Sequence, residues 1–364
     1  MNVLLINSVC GIGSTGKICG QIAENLTKEG HRVKIAYGRD SFVPERYRSF
    51  AHRIGTDISV RLHGLNSRIF DCHGFASAVA TRRFLAWAEE FDPQLLWLHN
   101  LHGYYLHVGL LFDWIKSRPR MEVRWTLHDC WAFTGHCAYF DMIGCEKWKD
   151  GCGNCPGKGS YPASLLLDRS HENYLRKQQA FTGVANMTLI APSNWLADLA
   201  RQSFLKEYPV LVHRNTIDRT VFKPTHGDFR ERHGLAGKKI ILGVASVWSR
   251  KKGLEDFRKL AGHIDDKTAI VLVGLTDQQK KTMPENILAL GKTRDQRHLA
   301  EIYTAADVLF NPTYEDNYPT VNLEAESCGT KVVTYCTGGA PETISLPESA
   351  VIPVGDYMGV LGFI

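Results

Sequence analysis

A chain of 364 residues, 44% apolar and 22% charged, has the composition of a folded protein with room for two domains, which excludes disorder as its theme. The net charge of +5 comes with no recognisable nucleic-acid-binding motif, so nucleic acid is not an expected partner. No run approaches the roughly eighteen apolar residues of a membrane span, and MNVLLINSVCGIG has neither a basic leader region nor a cleavage site, so the expected location is the cytoplasm.

Residues 2–7 form a candidate buried strand, followed by a glycine loop and a predicted amphipathic helix from Lys17 to Glu29. Gly11, Gly13 and Gly16 would let backbone approach an anion at that helix start, although a plain strand-to-helix turn fits equally. The spacing is not the dinucleotide fingerprint, because the next strand ends in Arg39 rather than an acid. Positive charge concentrates at Arg46, Arg48, Arg53, Arg61, Arg68, Arg82 and Arg83. That pattern suits a solvated helix face, or peripheral contact with an anionic membrane surface or a pyrophosphate-bearing lipid.

Asp92-Pro93 closes a helix before the strand Gln94–Leu98, whose end carries His99, Asn100 and His102. The strand Glu122–Leu127 ends likewise in His128 and Asp129. Strand ends of open α/β sheets deliver side chains to the ligand crevice, while Asp129 equally suits a helix N-cap. Four of the ten cysteines follow, with the spacing Cys137-x7-Cys145-x6-Cys152-x2-Cys155. Four thiolates could hold a structural zinc that braces the loop, with His128 and His136 as spare candidate ligands, and free buried cysteines are the alternative. A helical stretch is expected over 161–184, then the strand Met187–Ile190.

Further strands are expected at Lys239–Ala245, Ala269–Gly274, Ile287–Leu290 and Val308–Phe310, with a helix at Leu299–Ala306. The segment from Asn311 to Ile344 then reads as an acidic loop, a short helix capped by Thr320 and ended by Gly329, a buried strand, and the pair Gly338-Gly339. Uncapped amides at Asn317–Val321 would seat a phosphate or a hydroxyl-bearing ligand. One turn into the helix, the Glu324 carboxylate could accept both hydrogens of a vicinal diol, and Asp316 stands at the loop tip.

Asp316 and Glu324 with seven residues between them, LEAESCGTKVV and GGAPE together resemble the retaining, nucleotide-sugar-dependent glycosyltransferases of family four, the glycosyl transferases group 1. HDCWAFTGHCAYFDMIGCEKWKDGCGNCP is similar to the colanic-acid, capsule and O-antigen type. The resemblance implies an α/β fold of the GT-B class, with two Rossmann-like domains facing across a cleft. The domains are expected at 1–217, with a cysteine-rich insertion at about 130–157, and at 218–364. It further implies transfer of a hexosyl group, with retention, from a nucleoside-diphosphate sugar to a lipid-linked or saccharide acceptor in surface-polysaccharide assembly. Alternatives are a nucleotide-sugar epimerase of the same fold and a catalytically silent binding protein.

Residue by residue, the resemblance assigns Lys252 with Arg250 to the leaving diphosphate, Asp316 and His128 to the sugar, and Glu324 to the ribose. Gly13, Ser14 and Gly16 fall where the family's first domain approaches the pyrophosphate, Gly291 where the base is held, and Asn317, Tyr318 and Val321 along the phosphate-facing loop. No DxD motif is present, so no catalytic metal is expected. Val247 stands where the family usually has arginine, a departure that leaves Arg250 or Lys251 to supply the second charge. Past Pro353 the chain continues only as far as Ile364, where the family adds helices, so the second domain is expected to be short at its C-terminus.

Overall fold

The structure, a computed structural model, describes residues 1–364. It divides at His213/Arg214 into two compact units, each built on its own parallel sheet.

The first unit runs β1 (Asn2–Asn7), α1 (Gly13–Lys28), β2 (Arg32–Tyr37), β3 (Ala51–Arg53), α2 (Asp57–Phe70), α3 (Ala78–Phe91), β4 (Leu95–Leu98), α4 (Val108–Lys116), β5 (Glu122–Thr126), α5 (Ser170–Phe181), β6 (Met187–Ala191), α6 (Asn194–Gln202) and β7 (Val210–Val212). Its seven strands lie in the order β3-β2-β1-β4-β5-β6-β7, all parallel. NVLLIN makes a central strand because helices cover both faces of the sheet, so every side chain meets apolar neighbours and no alternation is needed. Leu4 and Ile6 pack with Leu96, Leu98 and Trp125, while Val3 and Leu5 turn to the opposite face with Cys19 and Ala23 of α1.

The second unit runs α7 (Phe229–Arg232), β8 (Lys239–Val244), α8 (Leu254–Leu260), β9 (Thr268–Val273), α9 (Asp277–Lys280), β10 (Ile287–Leu290), α10 (Gln296–Ala305), β11 (Val308–Asn311), α11 (Thr320–Ser327), β12 (Val332–Tyr335) and β13 (Ala350–Ile352). Its parallel sheet has the order β10-β9-β8-β11-β12-β13. Alternate residues again serve two cores: Ile241, Ile270 and Phe310 on one face, Leu242, Val271 and Leu309 on the other. Both units are therefore of the doubly wound GT-B kind. The strand order reverses between β1 and β4 in one sheet and between β8 and β11 in the other, and ligands of such sheets bind beyond the strand ends at that reversal.

Three local expectations need correction. Helix α1 starts at Gly13, not Lys17, with Ile12 as an N-cap that offers no side-chain acceptor. Gly13, Ser14 and Gly16 thus lie inside its first turn rather than in the preceding loop. Gly16 is tied there because its carbonyl accepts from Gly11 N at 3.1 Å, and an added Cβ would meet Val9 O at 3.3 Å. Residues 161–169 are not helical: Leu165 N and Leu167 N donate to the carbonyls of Arg68 and Ile69 at the end of α2, at 2.7 and 3.2 Å. Helix α5 begins only at Ser170, where the Asp168 carboxylate accepts from Ser170 N at 2.9 Å. Finally, Thr320 is the first residue of α11 and not its cap; the N-cap is Pro319, with no side-chain acceptor.

Candidate functional site

In the second unit, the loops after β8 and β11 flank the reversal of strand order, and glycine makes their close approach possible. Gly253 has φ +73°, and a Cβ there would lie 2.3 Å from Pro312 O, so only glycine brings the basic turn Arg250–Lys252 against the acidic loop. Tyr314 N then donates to Lys251 O at 2.8 Å. Two ion pairs result, Lys251 with Glu315, and Lys252 Nζ with Asp316 Oδ2 at 2.5 Å.

These pairs differ in what they can do. Glu315 is 3% exposed, so breaking its pair would strand a buried carboxylate, and that pair acts as a strut. Lys252 and Asp316 are 35% and 20% exposed. A pair so wetted is worth about 1 kcal/mol or less, so an arriving anion can take Lys252 cheaply. Arg250, by contrast, is exposed in the turn, as is Val247.

Behind the loop, Asp256 is buried and accepts from both Tyr314 Oη and Tyr335 Oη at 2.8 Å. Burial first, then this hydrogen bond, pushes the Tyr314 phenol up to about 12. Gly338 closes the loop from the other side: Gly339 N donates to Asp316 O at 3.2 Å, and a Cβ on Gly338 would lie 2.0 Å from that oxygen. One turn into α11, Glu324 Oε2 accepts from Tyr303 Oη at 2.9 Å, which aims the carboxylate. Asn317 and Tyr318 are buried and Val321 half-buried around the uncapped start of α11. Gly291 follows β10, where its carbonyl accepts from Gly274 N at 3.1 Å.

In the first unit, the ends of β1, β4 and β5 gather Asn7, His99, His102, His128 and Asp129. Asn100 N donates to Asn7 Oδ1 at 3.2 Å. His99 Nδ1 and His128 Nε2 are 3.0 Å apart, a geometry that shares one proton and is broken by two. Burial lowers both, His128 to about 4 despite the opposing pull of Asp129. His102 bridges Asp129 Oδ2 at 2.8 Å and Tyr161 Oη at 3.0 Å. Burial pushes the Asp129 carboxyl up, but His102 and the Trp131 N–H outweigh it and hold it below its ordinary value. Asp129 Oδ1 also accepts from Trp131 N at 2.9 Å, so it caps a turn and anchors a histidine at once.

Two participants escaped the sequence reading. Tyr161 lies 59 residues from His102, in a stretch read as helix. Lys177, fully buried, donates to Trp131 O and Thr134 O at 2.7 and 2.9 Å under the Trp131 ring. Burial pulls its ammonium down to about 7. In sequence it was one of several basic residues in a helix, and only tertiary burial singles it out.

Cys137, Cys145, Cys152 and Cys155 line one small cavity together with His136. As the chain stands, no three metal-ligating side chains meet at the geometry of a metal centre.

Residues 226–356 match the family described as glycosyl transferases group 1. The chain is 29% identical over 260 residues to WcaC of Escherichia coli (strain K12), whose name assigns it to colanic acid biosynthesis as a glycosyl transferase; the match covers 69% of this chain and 62% of WcaC. It is 26% identical over 160 residues to the N,N'-diacetylbacillosaminyl-diphospho-undecaprenol alpha-1,3-N-acetylgalactosaminyltransferase of Campylobacter jejuni, covering 41% and 42% of the two chains. The matched regions thus span less than two thirds of either relative. Among solved structures, Anabaena HepE in complex with UDP superposes with a TM-score of 0.66 at 15% identity, over all of this chain and 88% of that one.

Proposed function

We propose that this chain, whose second unit matches the glycosyl transferases group 1 over residues 226–356, is a retaining hexosyltransferase. It would move the sugar of a nucleoside-diphosphate donor to a lipid-linked or saccharide acceptor in surface-polysaccharide assembly. The observation that carries the reading is the Lys252–Asp316 pair at the reversal of strand order, with Glu324 one turn into α11. A glycosyl donor has an anionic diphosphate, a hydroxyl-bearing sugar beside it and a ribose diol beyond. Lys252 supplies a cation for the first, Asp316 an acceptor for the second, and Glu324 an acceptor for the third.

In the reaction, the bond from the anomeric carbon to the diphosphate oxygen breaks and a bond to the acceptor oxygen forms on the same face. The acceptor proton leaves with the nucleoside diphosphate. Charge grows on the departing phosphate, and a cation already placed there costs no reorganisation. That both named relatives are transferases favours transfer over epimerisation, and HepE's UDP makes uridine the first base to try.

Peripheral membrane contact belongs to the same reading. No helix is long and apolar enough to cross a membrane, yet α2 exposes Ile58, Leu62 and Leu65 beside Arg61 and Arg68. Leu165 and Leu166 lie beside it, since the backbone bonds of Leu165 and Leu167 tie their segment to the end of α2. An apolar stripe flanked by arginines suits an anionic lipid surface, where a lipid-linked acceptor would be met.

The test is release of nucleoside diphosphate from a panel of UDP-, GDP- and ADP-sugars, with and without acceptor lipid, in EDTA. Lys252→Ala and Glu324→Ala are assayed beside the wild type. The reading expects acceptor-dependent release that both variants lose by about 100-fold or more. Equal turnover in all three proteins would remove the site assignment.

A further inference from the structure

The segment between β5 and α5 has no helix beyond two short turns, 131–133 and 141–143, although it must hold His128, Asp129 and Trp131 in place. Its Trp131, Phe133, Phe140 and Trp148 are buried in the unit's core, whereas the stretch that carries Cys145, Cys152 and Cys155 is only half-buried. The cavity within it is lined by His136, Cys137, Cys145, Cys152 and Cys155, with Trp148 as an apolar wall.

His136 is the informative member. It is 2% exposed, and its Nδ1 lies 2.6 Å from Asp71 Oδ1, itself buried. Facing a carboxylate, Nδ1 carries the proton, and Nε2 is left as a buried nitrogen with no hydrogen-bond partner. A carboxylate that orients an imidazole so that its other nitrogen faces thiols is the outer-shell arrangement of metal-binding histidines. Asp71 is fixed in turn, since its second oxygen accepts from Arg169 N at 2.8 Å.

The sulfurs are prepared in a matching way. Gly135 N donates to Cys152 Sγ at 3.1 Å. Only glycine can sit there, because a Cβ would lie 1.9 Å from Ser170 O. Cys137 and Cys155 line the same cavity wall and interact with each other. A backbone amide aimed at sulfur stabilises the thiolate form that a metal ligand takes.

We infer that this cavity binds a structural Zn²⁺ through His136 Nε2, Cys145, Cys152 and Cys155, with Cys137 outside the ligand set. This replaces Cys137 of the four-thiolate set with His136, a spare candidate in the sequence. Zinc suits mixed imidazole and thiolate ligands in a closed tetrahedron; as the chain stands these four do not meet at that geometry, so binding would draw the half-buried Cys145, Cys152 and Cys155 inward. Such an ion would fasten the loop on which Lys177 and Asp129 depend.

The experiment is elemental analysis and X-ray absorption at the zinc edge on wild-type protein purified with a reductant and without chelator. Expected are about one equivalent of zinc and a shell of three sulfurs and one nitrogen. Cys152→Ser and Cys155→Ser should lose the metal, Cys137→Ser should keep it, and Asp71→Asn should weaken zinc retention against a competing chelator by about 10- to 100-fold. Less than about a tenth of an equivalent, even after incubation with zinc salt, overturns the site; the cluster is then a thiolate–imidazolium pair or a disulfide, which thiol titration separates. A four-sulfur shell overturns the place given to His136. The wild-type measurements stand even if a variant does not fold.

Discussion

Replacing Gly338 with alanine tests whether the position of Asp316, and not merely its presence, matters. The new Cβ would lie 2.0 Å from Asp316 O, whereas real Cβ atoms keep about 3.0 Å or more. The acidic loop must therefore retreat by about 1 Å. Gly338 also has φ +52°, where alanine pays about 1 kcal/mol. The Gly339 N to Asp316 O bond of 3.2 Å would be lost with the movement, for about another 1 kcal/mol. A total near 2 kcal/mol lowers the melting temperature of a unit this size by roughly 4–8 °C and leaves it folded at 25 °C. Misplacing a reacting group by 1 Å, however, can cost about 100-fold in rate. The assay is kcat/KM for sugar transfer at 25 °C beside thermal melts, with Gly262→Ala as control, since nothing lies within 4 Å of the Cβ it adds. Because G338A and K252A act on one pair, their combined effect should fall well short of the product of the two. A G338A enzyme within about threefold of wild type would refute the reasoning that this loop positions catalysis.

Asp256→Ala removes the acceptor of two tyrosine hydroxyls, one of them on the fully buried Tyr335; urea unfolding should show a loss of about 3 kcal/mol. Acid should destabilise the first unit selectively. His63 Nε2 accepts from Gly74 N at 3.3 Å and its Nδ1 lies 2.9 Å from Ser77 Oγ, an arrangement that a second ring proton breaks, and burial lowers this histidine to about 3. Its folded value is thus below the unfolded one, so its contribution is complete above pH 6.5 or so and is lost as pH falls towards 3, by as much as about 4–5 kcal/mol. Denaturant melts at descending pH should steepen accordingly, and His63→Gln should flatten them. Leu62→Glu with Leu166→Glu should abolish sedimentation with phosphatidylglycerol vesicles while sparing turnover on a soluble acceptor; unaltered vesicle binding would discard the α2 face as the contact.

The central strands and the acidic loop were legible because their signals are local. A run such as VLLI can only be a strand buried on both faces in a chain with this periodicity, and Gly329, with φ +85°, does end α11 as its position suggests. The start of α1 was not legible, because Ile12 is no capping residue and the turn is fixed by the contact between Gly11 and Gly16. Residues 161–169 lead without a break into the Leu-, Arg- and Lys-rich stretch that does become α5, yet the amides of Leu165 and Leu167 are taken by the end of α2 some hundred residues earlier in the chain. The same limit hid the partners of known residues. His102 and Asp129, or Asp71 and His136, are 27 and 65 residues apart, and no spacing rule joins them. Lysine 252 could be named from its place before Gly253, but that Lys251 rather than Arg250 pairs beside it depends on how the short turn presents each side chain.

The central claim is that the second unit holds a nucleoside-diphosphate sugar across Lys252, Asp316 and Glu324. A crystal structure of the chain soaked with a non-transferable UDP-sugar tests it most directly. The account predicts a diphosphate oxygen on Lys252 Nζ in place of Asp316 Oδ2, sugar hydroxyls on Asp316, and both ribose hydroxyls on Glu324. Nucleotide bound with Lys252 still paired to Asp316, or with its ribose away from α11, would contradict it.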